Sequence, residues 1–391
     1  MVKPSEVRKV KLLLAYHRNV ADLHRGQGIY INRFLSSLSQ HFDIYVVDAS
    51  GYFEFWSPGN NSHVTSTFIG DLRKSFINFL RWVILRRGRK NYVILSEDLY
   101  ISVFVIPLAV ILRIPPVYRS SDFGIQYRKL LMERVGIKFR ILPLLLNLSE
   151  KIICNISKMV IVPSEDERMA MINSGISSGK IFVYPYHPVK AVCSEQDVRA
   201  FKDSLGLVGK LIITFVGNME YKPNAEAALF IVILAEMHRK NFPDDEAIYL
   251  IAGKGSEKLA KHSAYNLRVV GELENIKVLL NASDIGLNPS MVPGGSSIKV
   301  IDYLVNGLFV ISTREGSHGV VENERMMICS REEFLERIRL VEQIIRSRSF
   351  NRKSIPSEIT EYYMTDKWSR NIIKSIEKLD GMRLIKVSDS K

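Results

Sequence analysis

Cysteine is scarce in this chain of 391 residues: there are three, Cys154, Cys193 and Cys329. They form no Cys-x-x-Cys pair, and the eight histidines fall at no metal-ligand spacing, so a disulfide framework and a structural zinc site are both excluded. A reducing, cytoplasmic compartment fits. Long apolar runs are missing too. The longest, Ile101 to Ile114, is broken by Pro107 and Arg113 and falls short of the roughly 18 residues a membrane span needs, so it reads as a helix buried against a sheet. The N-terminus offers only a short apolar run, Val10 to Ala15 interrupted by Lys11, less than a secretory signal core requires; it reads as a first buried strand. With 47% hydrophobic against 24% charged residues and no repeat or low-complexity block, most of the chain is expected to be packed.

Acidic residues are also outnumbered. Net charge is +13, and residues 1 to 150 hold 21 Lys and Arg against 11 Asp and Glu, so +10 of the excess lies there. Such a concentration favours an anionic partner. Residues 74 to 90 thread Phe76, Ile77, Leu80, Trp82, Val83 and Ile84 with Arg81, Arg86, Arg87, Arg89 and Lys90. That pattern suits either an amphipathic helix on the inner face of a membrane or a helix with its apolar side in the core and its arginines in water. Nucleic acid is not expected, because no aromatic and basic grouping on a recognised motif accompanies the charge.

Short β-branched runs alternate with longer helical patterns from end to end. Strands are expected near Val10–Ala15, Ile44–Val47, Tyr92–Leu95, Val117–Tyr118, Met159–Val162 and Ile181–Tyr184, then near Leu211–Val216, Ala247–Ile251, Leu267–Val270, Ile285–Asn288 and Phe309–Ser312. This is the rhythm of α/β folds with parallel sheets covered by helices. It pauses from Tyr184 to Ser194, where Pro185 and Pro188 hold the backbone extended. The chain length exceeds what one core usually supports, so two Rossmann-like domains are expected, 1–187 and 188–364. A helical tail, 365–391, is able to cross back to the first.

The segment carrying most chemistry is Pro293-Gly294-Gly295-Ser296-Ser297-Ile298-Lys299-Val300-Ile301-Asp302-Tyr303, between a strand ending at Asn288 and a helix reaching Asn306-Gly307. Gly294 and Gly295 let backbone approach a ligand, and Ser296 or Ser297 can cap the helix. Its free amides and dipole then favour a phosphate. Lys299 and Asp302, three apart, share one helical face: a cation for a diphosphate beside a carboxylate for ribose hydroxyls.

The order Phe215-Val216-Gly217-Asn218, Pro223-Asn224, Ile251-Ala252-Gly253-Lys254-Gly255, Val270-Gly271, Ala282-Ser283-Asp284-Ile285-Gly286-Leu287-Asn288-Pro289 and then Gly-Gly-Ser-Ser-Ile-Lys resembles the donor domain of retaining glycosyltransferase family four, the glycosyl transferases group 1. The resemblance spans about 110 residues. It implies the GT-B fold, two Rossmann-like domains facing each other across a cleft, and a nucleotide-diphosphate sugar, UDP- or GDP-linked, as donor. By that resemblance Gly217 and Asn218 approach the donor phosphates, Glu272 and Leu273 sit beside the base, Asp302 binds ribose, and Lys299 with the helix amides clamps the diphosphate; Lys222 is a second cation there. Two departures are visible. Gly294 stands where the family carries the first glutamate of its Glu-seven-residues-Glu pattern, and Asp302 replaces the second. Asn218 stands where an arginine is common.

No Asp-x-Asp pair occurs in the chain, which disfavours a donor site whose carboxylates hold Mg²⁺ or Mn²⁺. No metal or cofactor is expected. In the first domain Gly26-Gln27-Gly28 reads as a tight acceptor-side loop after the first strand, where ligands of open α/β sheets bind. Asp122, after Tyr118-Arg119-Ser120-Ser121, reads as an acceptor-orienting carboxylate or a helix cap. His24 and His187 are either packed or cleft-lining, and Ser164 with Glu167 reads as a capping box. The expected acceptor is a saccharide or a lipid-linked saccharide. A nucleotide-sugar 2-epimerase of the same architecture is the alternative, though it needs carboxylates and histidines around the sugar.

Overall fold

The computed structural model describes residues 10–16, 26–49, 52–53, 68–85, 92–120, 141–188, 190, 192–273, 276–293, 296–347 and 354–388. The chain divides into two compact units, Met1–His187 with Asp366–Lys391, and Pro188–Thr365. In the first, β1 (Lys11–Ala15), β2 (Asp43–Val47), β3 (Tyr52–Phe53), β4 (Tyr92–Glu97), β5 (Pro116–Arg119), β6 (Met159–Val162) and β7 (Ile181–Val183) form a sheet of order β3-β2-β1-β4-β5-β6-β7. All pairings are parallel except the antiparallel β2–β3 edge. Its helices are α1 (Gly26–Leu38), α2 (Phe68–Leu85), α3 (Leu99–Ile111), α4 (Ile141–Ile156) and α5 (Glu165–Asn173). Every residue of β4 is buried, which is why such strands read as unbroken apolar runs rather than alternating ones.

The second unit carries α6 (Glu195–Ser204), β8 (Ile212–Val216), α7 (Lys222–Asn241), β9 (Ile248–Ala252), β10 (Leu267–Gly271), α8 (Ile276–Ala282), β11 (Ile285–Asn288), α9 (Ile298–Val305), β12 (Phe309–Ser312), β13 (Met326–Ile328), α10 (Phe334–Arg346) and α11 (Ser357–Tyr363). Its sheet is parallel throughout, in the order β10-β9-β8-β11-β12-β13. Helix α12 (Lys367–Ser388) then packs on α1 and β4 of the first unit. Both units are thus Rossmann-like. Serine caps set two helix starts: Ser164 accepts from the Glu167 amide at 3.3 Å and Ser194 from that of Asp197 at 3.0 Å.

The expected strands form, and two more appear at sheet edges. Strands β3 and β13 have two and three residues, too short to show a period. Two expectations shift. Gly26, Gln27 and Gly28 open α1 instead of forming a loop ahead of it. On α2, Trp82 and Phe79 point into the core, their rings 5.8 Å apart and stacked, with Trp82 edge-on to Tyr92 of β4; the aromatic that argued for a membrane helix serves the core, and Arg86, Arg87, Arg89 and Lys90 lie outside the described residues. The run Ile101–Ile114 supplies the expected helix against the sheet, α3 packed on β4 and β5, and is buried on that side only. Tyr100, Phe104, Val110, Ile111 and Leu112 of α3 and its end are exposed, Ile111 by 75%.

Candidate functional site

In an open parallel sheet, ligands bind beyond the carboxyl ends of the strands where the strand order reverses. In the second unit that point lies between β8 and β11. These strands pair only through Ile285↔Ile213 and Gly286↔Thr214, so their carboxyl ends part. The Val216 amide, which faces the gap, is taken instead by the Tyr303 hydroxyl at 2.8 Å. Tyr303 can reach it because position 286 is glycine: a Cβ there would stand 2.2 Å from the Tyr303 ring. The sequence thereby seats α9, and with it Lys299 and Asp302, over the parting strands. A second close approach fixes the floor. Gly253, at φ +117°, lies so near Gly217 that a Cβ would meet the Gly217 carbonyl oxygen at 2.1 Å.

Lys299 sits where β8 ends. Its Nζ donates to the Asn224 side-chain oxygen at 2.8 Å and lies 4.3 Å above the Phe215 ring. Asn224, on the first turn of α7, donates in turn to the Asn218 carbonyl at 3.0 Å, and the Asn218 side chain accepts from the Glu220 amide at 2.8 Å. Burial disfavours the ammonium, lowering the Lys299 pKa from 10.5 to about 7. Among the described residues no carboxylate offsets that loss of solvation. Asn224 is the residue that reasoning about charges passed over; its position one turn into a helix after β8 was the signal.

Ser297 occupies the N-cap position of α9, yet its side chain makes no cap bond. It accepts from the Asn288 amide group at 3.1 Å, while Ser296 donates to the Gly319 carbonyl at 3.3 Å. Asn288 also donates to the Gly316 carbonyl at 2.6 Å, which ties the turn after β12 to the entrance of α9. Gly316 lies against Asn288, with room for no Cβ. Gly294, Gly295 and Asp122 lie outside the described residues, as does His24.

The structure therefore brings together Gly217, Asn218 and Lys299, with Ser296, Ser297 and the half-buried Asp302 on or beside the same helix. Glu272 is exposed and Leu273 is partly buried against the core cluster that includes Leu250 and Leu279; both follow β10, two strands from β8, roughly 10 Å at ordinary strand spacing. Lys222 opens α7 with its side chain 86% exposed, 3.8 Å from Glu226. His187 stacks on Tyr184 at 4.8 Å and is a packed residue.

In the first unit the strand order reverses between β1 and β4, which pair along the whole of β1, and the polar feature near them is buried. Arg119, ending β5, meets the Glu97 carboxylate at 2.5 Å, both side chains at most 2% exposed, and its guanidinium stacks on Tyr30 and Phe34 at 4.2 and 4.5 Å. Beside it Asp98 takes a left-handed φ of 63° as β4 turns into α3.

Two Rossmann-like units are the architecture of the GT-B fold. Residues 210–343 match the model of the glycosyl transferases group 1 family. No curated protein matches the chain by sequence. Among solved structures the fold is similar to WaaG, a glycosyltransferase involved in lipopolysaccharide biosynthesis, at a TM-score of 0.63 and 13% identity over 94% of this chain and 99% of that one. It is similar to Anabaena HepE in complex with UDP at 0.60 and 12%, over 98% and 100%. The UDP-GlcNAc 2-epimerase of Methanocaldococcus jannaschii aligns at 0.57 and 13%, over 95% and 100%.

Proposed function

We propose that this protein transfers a sugar from a nucleotide diphosphate, UDP- or GDP-linked, to a saccharide or lipid-linked saccharide, with retention at the anomeric carbon and without a metal, in glycan or polysaccharide synthesis at the cytoplasmic face of a membrane. The observation that carries this reading is Lys299: a desolvated cation held by Asn224 at the end of β8, beside Gly217 and the entrance of α9. Breaking the sugar–phosphate bond leaves growing negative charge on the diphosphate, and a preorganised ammonium with backbone amides stabilises that charge directly. In this reading Asp302, three residues on along the same helix, binds the ribose hydroxyls. The UDP of HepE and the lipopolysaccharide role of WaaG support the choice of donor and of a lipid-linked acceptor.

A thermal-shift series with UDP, GDP and their sugars tests this, since a ligand of the native state alone raises the melting temperature. We expect a shift with one diphosphate and its loss in Lys299→Met, which removes a charge-assisted bond worth about 1.5–3 kcal/mol, roughly 10- to 100-fold in affinity. No shift with any nucleotide, or an undiminished one in Lys299→Met, overturns the assignment. Incubating the donor without acceptor separates the epimerase reading, which requires interconversion of the free nucleotide sugar.

A further inference from the structure

The first unit carries an outer surface of apolar side chains. On α4 the side turned inward bears Ile153 and Cys154 of the core, together with Glu150, buried and accepting from the Tyr118 hydroxyl at 2.8 Å. The side turned to solvent bears Leu144, Leu145, Leu148 and Ile152, each at least 50% exposed. A surface helix of a globular protein shows polar residues on that side. Helix α3, packed between α4 and α2, repeats the pattern: Leu99, Ile101, Val105, Ile106 and Ala109 are buried, while Tyr100, Phe104 and Ile111 form an exposed stripe at helical spacing. Phe104 touches Phe76 of α2, ring centroids 4.9 Å apart, and α2 adds exposed Ile77 and Ile84. Three neighbouring helices thus show apolar groups to water together, and such patches mark binding surfaces.

The charges around the patch identify its occupant. Among the described side chains of these helices, exposed cations stand at Arg73, Lys74 and Arg81 on α2 and Lys151 on α4, with Arg113 following α3. The acids there are the half-buried Asp71 and the buried Glu150. Apolar side chains flanked by cations match a bilayer with anionic headgroups, where leucines enter the acyl boundary and lysines and arginines stay at the phosphates. We infer that the outer face of α3 and α4, with α2 as its basic border, seats the protein on an anionic phospholipid membrane. This deepens the membrane part of the function proposed above and rests on it for its purpose, but the surface is separate from the donor site.

The test is co-sedimentation with vesicles of phosphatidylcholine alone or mixed equally with phosphatidylglycerol, at low salt, for the full chain and two variants. One is Leu144→Ser/Leu145→Ser/Leu148→Ser; the other is Arg73→Gln/Lys74→Gln/Arg81→Gln. We expect the wild type to bind the mixed vesicles and to ignore the neutral ones. The leucine variant should bind about tenfold or more weakly with its melting temperature and its shift by UDP unchanged; the α2 variant should weaken less and lose its salt dependence. Wild-type protein that stays in the supernatant, equal binding by the leucine variant, or a wild-type dimer that this variant makes monomeric overturns the inference. A retained UDP shift with lost vesicle binding keeps it distinct from any failure of the donor assignment.

Discussion

The two units share one architecture and use charge in opposite ways. In the first, the polar group near the sheet's carboxyl edge is a sealed pair, Arg119 against Glu97, roofed by Tyr30 and Phe34. In the second, the corresponding place holds Lys299 with no acid among the described residues to neutralise it. A cation whose partner is already inside the protein holds the fold together, whereas one left unneutralised is available to a ligand. The outer faces are alike in one respect: α7 packs Ala227, Ala228, Ile231 and Ala235 inward and, like α3 and α4, leaves apolar side chains in water, at Leu229, Ile233 and Met237.

The largest effect that would break this comparison lies in the first unit. Arg119→Leu leaves the Glu97 carboxylate buried without its cation, and should cost about 3–5 kcal/mol in urea unfolding, with stability recovered when Glu97→Leu is added. A loss of activity without a loss of stability would instead make Arg119 a ligand group like Lys299. Next comes Gly286→Ala, whose Cβ drives into the Tyr303 ring and should lower stability by about 1–3 kcal/mol while weakening UDP binding, because α9 is displaced. An unchanged UDP shift would show that the seat of α9 does not position Lys299.

A third and smaller effect is pH. The Lys299 pKa falls from 10.5 in the ordinary case to about 7, so between these values the unfolded chain binds more protons than the native one. Stability must then rise with pH across that window, by at most about 1.4 kcal/mol per unit for one group. Melting curves of wild type minus Lys299→Met at pH 6, 8 and 9.5 isolate this; a flat difference refutes it. Diphosphate affinity should run the other way, weakening above pH 7 as the ammonium is lost. The smallest effect belongs to Lys222→Ala, whose exposed side chain should leave both melting temperature and UDP shift unaltered; a lost shift would restore it to the donor site.

Strand positions were legible because a sheet buried on both faces demands β-branched runs, and the helix of Lys299 because glycines and serines punctuate its start. What escaped the sequence depended on neighbours. An apolar helix packed against a sheet reads alike whether its far side is covered or bare, so the exposure of Phe104 and Ile111 was not legible. Two aromatic side chains on one amphipathic helix cannot say which way they turn, and Trp82 went to the core. The Asn224 bond joins residues 75 positions apart, and the match of Gly286 to the Tyr303 ring exists only once β11 and α9 are stacked.

The Tyr303 hydroxyl on the Val216 amide means that the last rung of β8 is supplied by a helix side chain and not by the adjacent strand. A sheet so finished can stay unzipped at its tip without leaving a bare donor. The wedge between β8 and β11 is therefore a standing feature of the unliganded protein, propped by a keystone that any shift of α9 would loosen. A nucleotide entering there would not have to prise strands apart.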